Sequence, residues 1–121
     1  MIAVSVNKAN YTHDLITGSK QFVIAAANKG MEKAVLYFGN TSGRDVDKFK
    51  ATGLKTQKGE AVGLPILSDA SINFECKLVN SVETGEHTIF IGEVVAAWRD
   101  NNKKVLMYMG KQPGKRLFEE F

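Results

Sequence analysis

One cysteine, two prolines and two histidines in a chain of 121 residues exclude several chemistries at the outset. Cys76 has no cysteine to pair with, so no internal disulfide can form, which fits a reducing, cytoplasmic setting. His13, His87 and Cys76 are too few and too far apart in sequence for a structural zinc site. No apolar run is long enough to span a bilayer and no signal peptide opens the chain, so no membrane role is expected. GxGxxG and P-loop patterns are absent, which removes the Rossmann and NTPase readings. Sixteen Lys and Arg against thirteen Asp and Glu leave a net charge of +3. That excess is small and dispersed, and it does not argue for nucleic acid. Lys111, Lys115 and Arg116 are interrupted by Gly and Pro and followed by Glu119 and Glu120, and read as a solvated tail.

What the chain does have is alternation. Its length suits one domain, residues 1–121, with a single core. Ile2-Ala3-Val4-Ser5-Val6 reads as a strand. Asn7 and Lys8 follow, and then a short helix, with Thr12 as N-cap, Asp14 in the first turn and Gly18 as the stop. A strand end, an ammonium group and a helix N-terminus brought together can hold a phosphate, because free N–H groups and the helix dipole favour negative charge. The same residues also read as an ordinary strand-turn-helix with a solvated lysine.

Gln21 to Ala26 is a second strand. Met31, Ala34, Val35 and Phe38 fall at helical spacing, with Gly39 as a stop. Ser42 and Asp45 form a short capping signature for a helix from Arg44 to Lys50 that presents Val46 and Phe49 to the core. Around Pro65, residues 62–67 read as two short strand pieces.

The clearest element is a long hairpin. Ser71 to Val82 alternates, Glu83 to Glu86 turns, and His87 to Trp98 alternates again. Cys76 shares a face with Ile72, Phe74 and Leu78, so it reads as a buried small hydrophobe rather than a nucleophile. His87 opens its strand beside a tight turn, where it either donates to a ligand or simply flanks the turn. Unbroken alternation places Phe90 and Trp98 on the face opposite His87, as core or dimer contacts. A polar turn from Arg99 to Lys103 and a strand from Lys104 to Met109 follow. Successive strands with few helices predict a mainly β fold, an antiparallel barrel or sandwich.

Three segments in order resemble one family: Ser5-Val6-Asn7-Lys8 with Tyr11-Thr12, then Phe38-Gly39 with Ser42 to Phe49, then Gly85 to Val94. The chain resembles the flavin reductase-like, FMN-binding split-barrel family, and most closely its flavoredoxin branch. The resemblance implies a homodimeric split β-barrel with short helices, holding FMN near the dimer interface. It implies that Ser5, Asn7, Lys8 and Thr12 surround the flavin phosphate and ribityl chain. His87 would lie near the isoalloxazine and Arg44 near the site mouth. No catalytic residue and no metal ligand is assigned. The family usually carries about one more strand pair before the segment that begins here at Ile2, and it more often has Asp where Glu86 stands. The barrel is therefore expected to be incomplete at its N-terminus, and an exposed sheet edge of that kind favours association.

The implied function is an FMN-binding redox protein, a flavin reductase or an electron carrier taking electrons from NAD(P)H or a protein donor. The alternative is a non-catalytic split-barrel remnant with a structural role and weak or no flavin binding.

Overall fold

The computed structural model describes residues 1–121. Its centre is a four-stranded antiparallel sheet in the order β1-β6-β5-β2, formed by β1 (Ile2–Asn7), β2 (Gln21–Ala26), β5 (Ile72–Thr84) and β6 (His87–Arg99). Two small antiparallel pairs flank it: β3 (Thr56–Lys58) with β4 (Pro65–Leu67), and β7 (Leu106–Gln112) with β8 (Lys115–Glu120). Three short α-helices, α1 (Tyr11–Ser19), α2 (Glu32–Asn40) and α3 (Lys48–Thr52), and one 3-10 turn (Lys29–Met31) complete the chain. The mainly β expectation holds, with β1 and β2 left as the edges of the sheet.

The β5–β6 hairpin behaves as its alternation predicts. Its turn is tighter than expected and consists of Gly85 and Glu86 alone. Gly85 takes φ 77° at the first central position and Glu86 stays at negative φ, the type II′ pattern that matches strand twist. Pairing carries Ile2, Val4, Val6, Phe22, Cys76 and Phe90 to one face of the sheet. Ile16 of α1 packs onto that face, and Val6, Ile16, Phe22, Cys76 and Phe90 form the buried core. Burial pushes the Cys76 thiol pKa up, so it sits as an inert small hydrophobe. Gly92 is needed for this packing: a Cβ there would lie 2.5 Å from Phe22 Cζ and 2.9 Å from Cys76 Cβ.

Two register shifts break the alternation, one between Leu78 and Asn80, where Val79 is the extra residue on β5, and one at Val95. Glu75 pairs with Ala96 but Cys76 with Val94, so Val95 is an extra residue on β6. This bulge turns Trp98 to the opposite face from Phe90, correcting the expectation that they share one. Trp98 instead meets Glu75. The Glu75 carboxylate is fully buried and accepts from Trp98 Nε1 at 2.9 Å. It also accepts from the backbone N–H groups of Glu60 (3.0 Å), Ala61 (2.9 Å) and Val62 (3.1 Å). Burial alone would raise its pKa; the Trp98 and backbone donors outweigh that and hold it at about 2 instead of 4.5. Asn73 next to it brackets Leu67, accepting from its N–H at 3.0 Å and donating to its carbonyl at 2.9 Å. Together they fasten the β3–β4 segment over one half of the sheet.

Several local expectations shift. Thr12 lies inside α1, whose N-cap is Asn10, and the helix runs past Gly18 to end at Lys20 in the left-handed region (φ 60°). Gly39 likewise lies inside α2. The expected helix from Arg44 to Lys50 is a turn followed by α3, whose N-cap is Asp47, accepting from Lys50 N at 3.1 Å. Ser42 Oγ accepts from Arg44 N at 3.2 Å, two residues on, which closes a turn rather than a helical cap. The basic C-terminal stretch is not a solvated tail but the β7–β8 hairpin, turning at Pro113-Gly114.

Candidate functional site

The site residues are placed by the far end of the sheet, where β1 stops and the β5–β6 hairpin turns. Asn7 pairs with His87 and Ser5 with Ile89, so Ser5, Asn7 and His87 share the face that also carries Glu75. Over this far half the face stays open, with Ala3, Ser5 and Val82 exposed. Asn7 also shapes the chain beyond β1, since its Oδ1 accepts from Ala9 N at 2.8 Å.

Lys8 is held against the hairpin end. Its N–H donates to Glu86 O at 2.9 Å and its ammonium lies 3.6 Å from Glu83 Oε1. That ion pair is exposed and therefore weak, so it leaves the ammonium available to a phosphate.

Beyond Lys8, α1 and the 41–49 segment enclose a groove of ≈ 1110 Å³. That is slightly above the usual size range of small-molecule sites, about 300–1,000 Å³. Thr12 and Arg44 line it together with Tyr11, Ser42 and Lys48. The structure thus brings Thr12 and Arg44 together in the groove, and Ser5, Asn7 and His87 together on the sheet face, with Lys8 between the two groups in sequence. Ser5, Asn7, Lys8 and His87 do not line the groove itself.

Arg44 is more deeply engaged than its sequence position suggests. Its guanidinium pairs with Asp14 of α1, donates to Ala9 O at 3.4 Å and lies 4.9 Å above the centre of the Tyr11 ring. Two of its five N–H donors are thus used, leaving others for a ligand. Gly43 lets the loop approach: a Cβ there would sit 3.3 Å from Tyr11 Cδ2. Lys48 folds back onto α2, donating to Phe38 O at 2.8 Å.

Sequence reasoning missed two contributors. His13 Nε2 lies 2.8 Å from Thr88 Oγ1 and its ring packs 5.1 Å from that of Phe90, which ties α1 to the strand that carries His87. A helical count from Tyr11 could have put His13 on the sheet-facing side of α1 with Ile16. Asp14 was seen only as a first-turn acid, and nothing in the sequence marks it as the partner of an arginine thirty residues on.

Residues 1–115 match the family model described as the flavin reductase like domain. The chain is 40% identical over 98 residues to a high molecular weight rubredoxin of Moorella thermoacetica, covering 79% of this chain and 42% of that protein. It is 30% identical over 111 residues to an NADH-dependent FAD reductase of Streptomyces globisporus, covering 91% and 60%. The chain spans about half the length of such curated relatives, between 42% and 60% in four of them. Among solved structures, an FMN-binding protein from Thermus thermophilus with bound p-hydroxybenzaldehyde superposes with a TM-score of 0.82 at 30% identity, covering 98% of this chain and 67% of that one. A flavoredoxin from Methanosarcina acetivorans superposes with a TM-score of 0.83 at 25% identity, with the same coverage. The mainly β fold with short helices is thus that of the flavin reductase-like split barrels, and the chain belongs to the flavin reductase-like domain family.

Proposed function

We propose that this protein is an FMN-binding redox protein, a flavin reductase or a flavoredoxin-like electron carrier, working as a homodimer in the cytoplasm. Membership of the family supports the reading, and so do two donor sets that flank the end of β1. Ser5, Asn7 and His87 share an open sheet face, and Thr12 and Arg44 line the groove at the start of α1. Neutral donors suit a polyol and ring carbonyls, and the cations of Lys8 and Arg44 suit a phosphate. The chemistry of these donors therefore fits a flavin mononucleotide.

Bound FMN would supply two-electron transfer, with negative charge gathering on the ring on reduction. Lys8 and Arg44 hold the phosphate end, and Thr12 and the free N–H groups at the start of α1 add donors there. Ser5 and Asn7 bond the ribityl chain. His87 donates to the ring, which favours the reduced anion over the neutral oxidised form. Electrons would come from NAD(P)H, which the names of an NADH-dependent FAD reductase and an NAD(P)H ferric-chelate reductase among the relatives carry, or from a protein donor.

Colour and equilibrium dialysis test the reading. Purified protein should show the absorbance bands of oxidised flavin or should take up added FMN. It should hold FMN more tightly than riboflavin, which lacks the phosphate. A colourless protein that takes up neither would overturn the proposal and leave a structural split-barrel domain.

A further inference from the structure

α1 carries part of the proposed site but is lightly fixed to the main sheet. Ile16 is its one buried residue. Its last turn is tied by Ser19 Oγ, which donates to Gln21 O at 3.0 Å. Its first turn is held by a different bond. His13 Nε2 lies 2.8 Å from Thr88 Oγ1, and the His13 ring packs on Phe90 with 5.1 Å between ring centres. Asn10, the N-cap, makes no side-chain capping bond.

Thr88 is a firm anchor. It lies on β6 inside the sheet, paired with Val6 of β1 on one side and with Glu83 of β5 on the other, and it is buried. A buried hydroxyl needs a partner, and His13 is the one it has. Thr88 also follows His87 directly, so the two side chains take opposite faces of the sheet. One residue of β6 faces the proposed ring site, and the next holds α1.

What α1 carries is the proposed phosphate end. Thr12 precedes His13 and Asp14 follows it. Asp14 pairs with Arg44, whose guanidinium also donates to Ala9 O at 3.4 Å and lies 4.9 Å above the Tyr11 ring. Thr12 and Arg44 are therefore fixed to α1, whereas Ser5, Asn7 and His87 are fixed to the sheet. A ligand that touches both sets needs their separation held, because a displacement of about 1 Å is enough to spoil a binding contact.

We infer that His13 is a positioning residue for the phosphate end of the flavin site: through Thr88 it sets where α1, with Thr12 and Arg44, stands relative to the strand that carries His87. The inference rests on the flavin reading of the site and gives His13 no contact with the ligand.

Fluorescence titrations with FMN and with riboflavin test it on the wild-type chain, His13→Leu, His13→Gln and Thr88→Val. Riboflavin reads the ring and ribityl contacts alone, so the ratio of the two dissociation constants reads the phosphate end. The wild type should favour FMN by about tenfold or more, the scale of one charge-assisted bond. His13→Leu and Thr88→Val should each lose most of that preference, with riboflavin binding kept within about twofold. Thr88→Val keeps the shape of the side chain, so it reads the ratio even where His13→Leu does not fold. His13→Gln, whose amide can still bond Thr88 Oγ1, should recover the wild-type ratio. A packing role alone would weaken both ligands together. Variants that keep the wild-type ratio, that weaken FMN and riboflavin equally, or a His13→Gln that recovers nothing would overturn the positioning role and leave the flavin reading standing. A wild type that binds neither ligand, or both equally, would overturn the flavin phosphate reading and this inference with it.

Discussion

The two halves of one sheet face have opposite designs. Over the near half, Glu75 and Asn73 are buried and bonded to the β3–β4 segment. Over the far half, Ser5 is exposed and His87 half-buried. Both halves carry polar side chains on the same strands. In the near half Glu75 and Asn73 are bonded to the chain's own backbone and to the Trp98 indole, and the result is rigidity. In the far half Ser5 lies exposed and makes no such bond, which suits the ligand site proposed above. A buried charge is stable only when its hydrogen bonds are made, whereas a binding site must keep some unmade.

The largest expected effect lies in the closed half. Glu75→Ala leaves three backbone N–H groups and the Trp98 indole without their acceptor, and should cost roughly 3–5 kcal/mol. That is a large share of the total stability of a domain this size, and urea denaturation should show it as a collapse of the midpoint. The pH dependence has a fixed sign. The folded pKa of about 2 lies below the ordinary 4.5, so the stabilisation is present above about 4.5 and is lost as pH falls toward 2. Wild-type stability should fall through that window, and Glu75→Gln should flatten the slope. A Glu75→Gln protein with the wild-type slope would separate Glu75 from acid sensitivity.

Gly92→Ala comes next. The added methyl meets Phe22 and Cys76 in the core behind the face, and overpacking of this kind costs roughly 1–3 kcal/mol. Thermal unfolding should register it while the open half keeps its ligand.

In the open half the effects move from stability to binding. Lys8→Ala should weaken FMN binding by roughly 1–3 kcal/mol, the scale of a lost charge-assisted hydrogen bond, and change unfolding little because the Glu83 pair is exposed. Unchanged affinity by flavin fluorescence would remove Lys8 from the site. His87→Leu should act on potential more than on affinity. About 30 mV corresponds to ~1.4 kcal/mol for a two-electron couple, so one lost donor should lower the potential by tens of millivolts. Spectroelectrochemistry of both proteins decides it, and equal potentials would make His87 a turn-flanking residue only.

The open half was more legible in the sequence than the closed one. Period-two alternation and the Gly85-Glu86 turn specify the long hairpin, and that hairpin sets His87 opposite Asn7. Glu75 was invisible because a single acid in an alternating strand looks like a solvent-facing residue; only the β3–β4 segment folded over it shows otherwise. The bulge at Val95 leaves no mark in composition, yet it decides which face Trp98 takes. Gly18 and Gly39 misled as helix stops because a glycine within a helix costs only about 1 kcal/mol, which packing outweighs. The terminal hairpin was hidden by its own turn: Pro113-Gly114, with Gly114 at φ 73°, breaks a strand in order to reverse it. Arg44 was expected near the site mouth by resemblance, and its pairing with Asp14 holds its loop against α1.

The comparison of the two halves is tested most directly by following backbone amide resonances while FMN is added. Shifts should concentrate at Ser5, Asn7, Lys8, Thr12, Arg44 and His87, with Glu60, Ala61, Val62 and the Trp98 indole unmoved. Shifts centred on the Glu75 clamp, or none anywhere at saturating FMN, would contradict it.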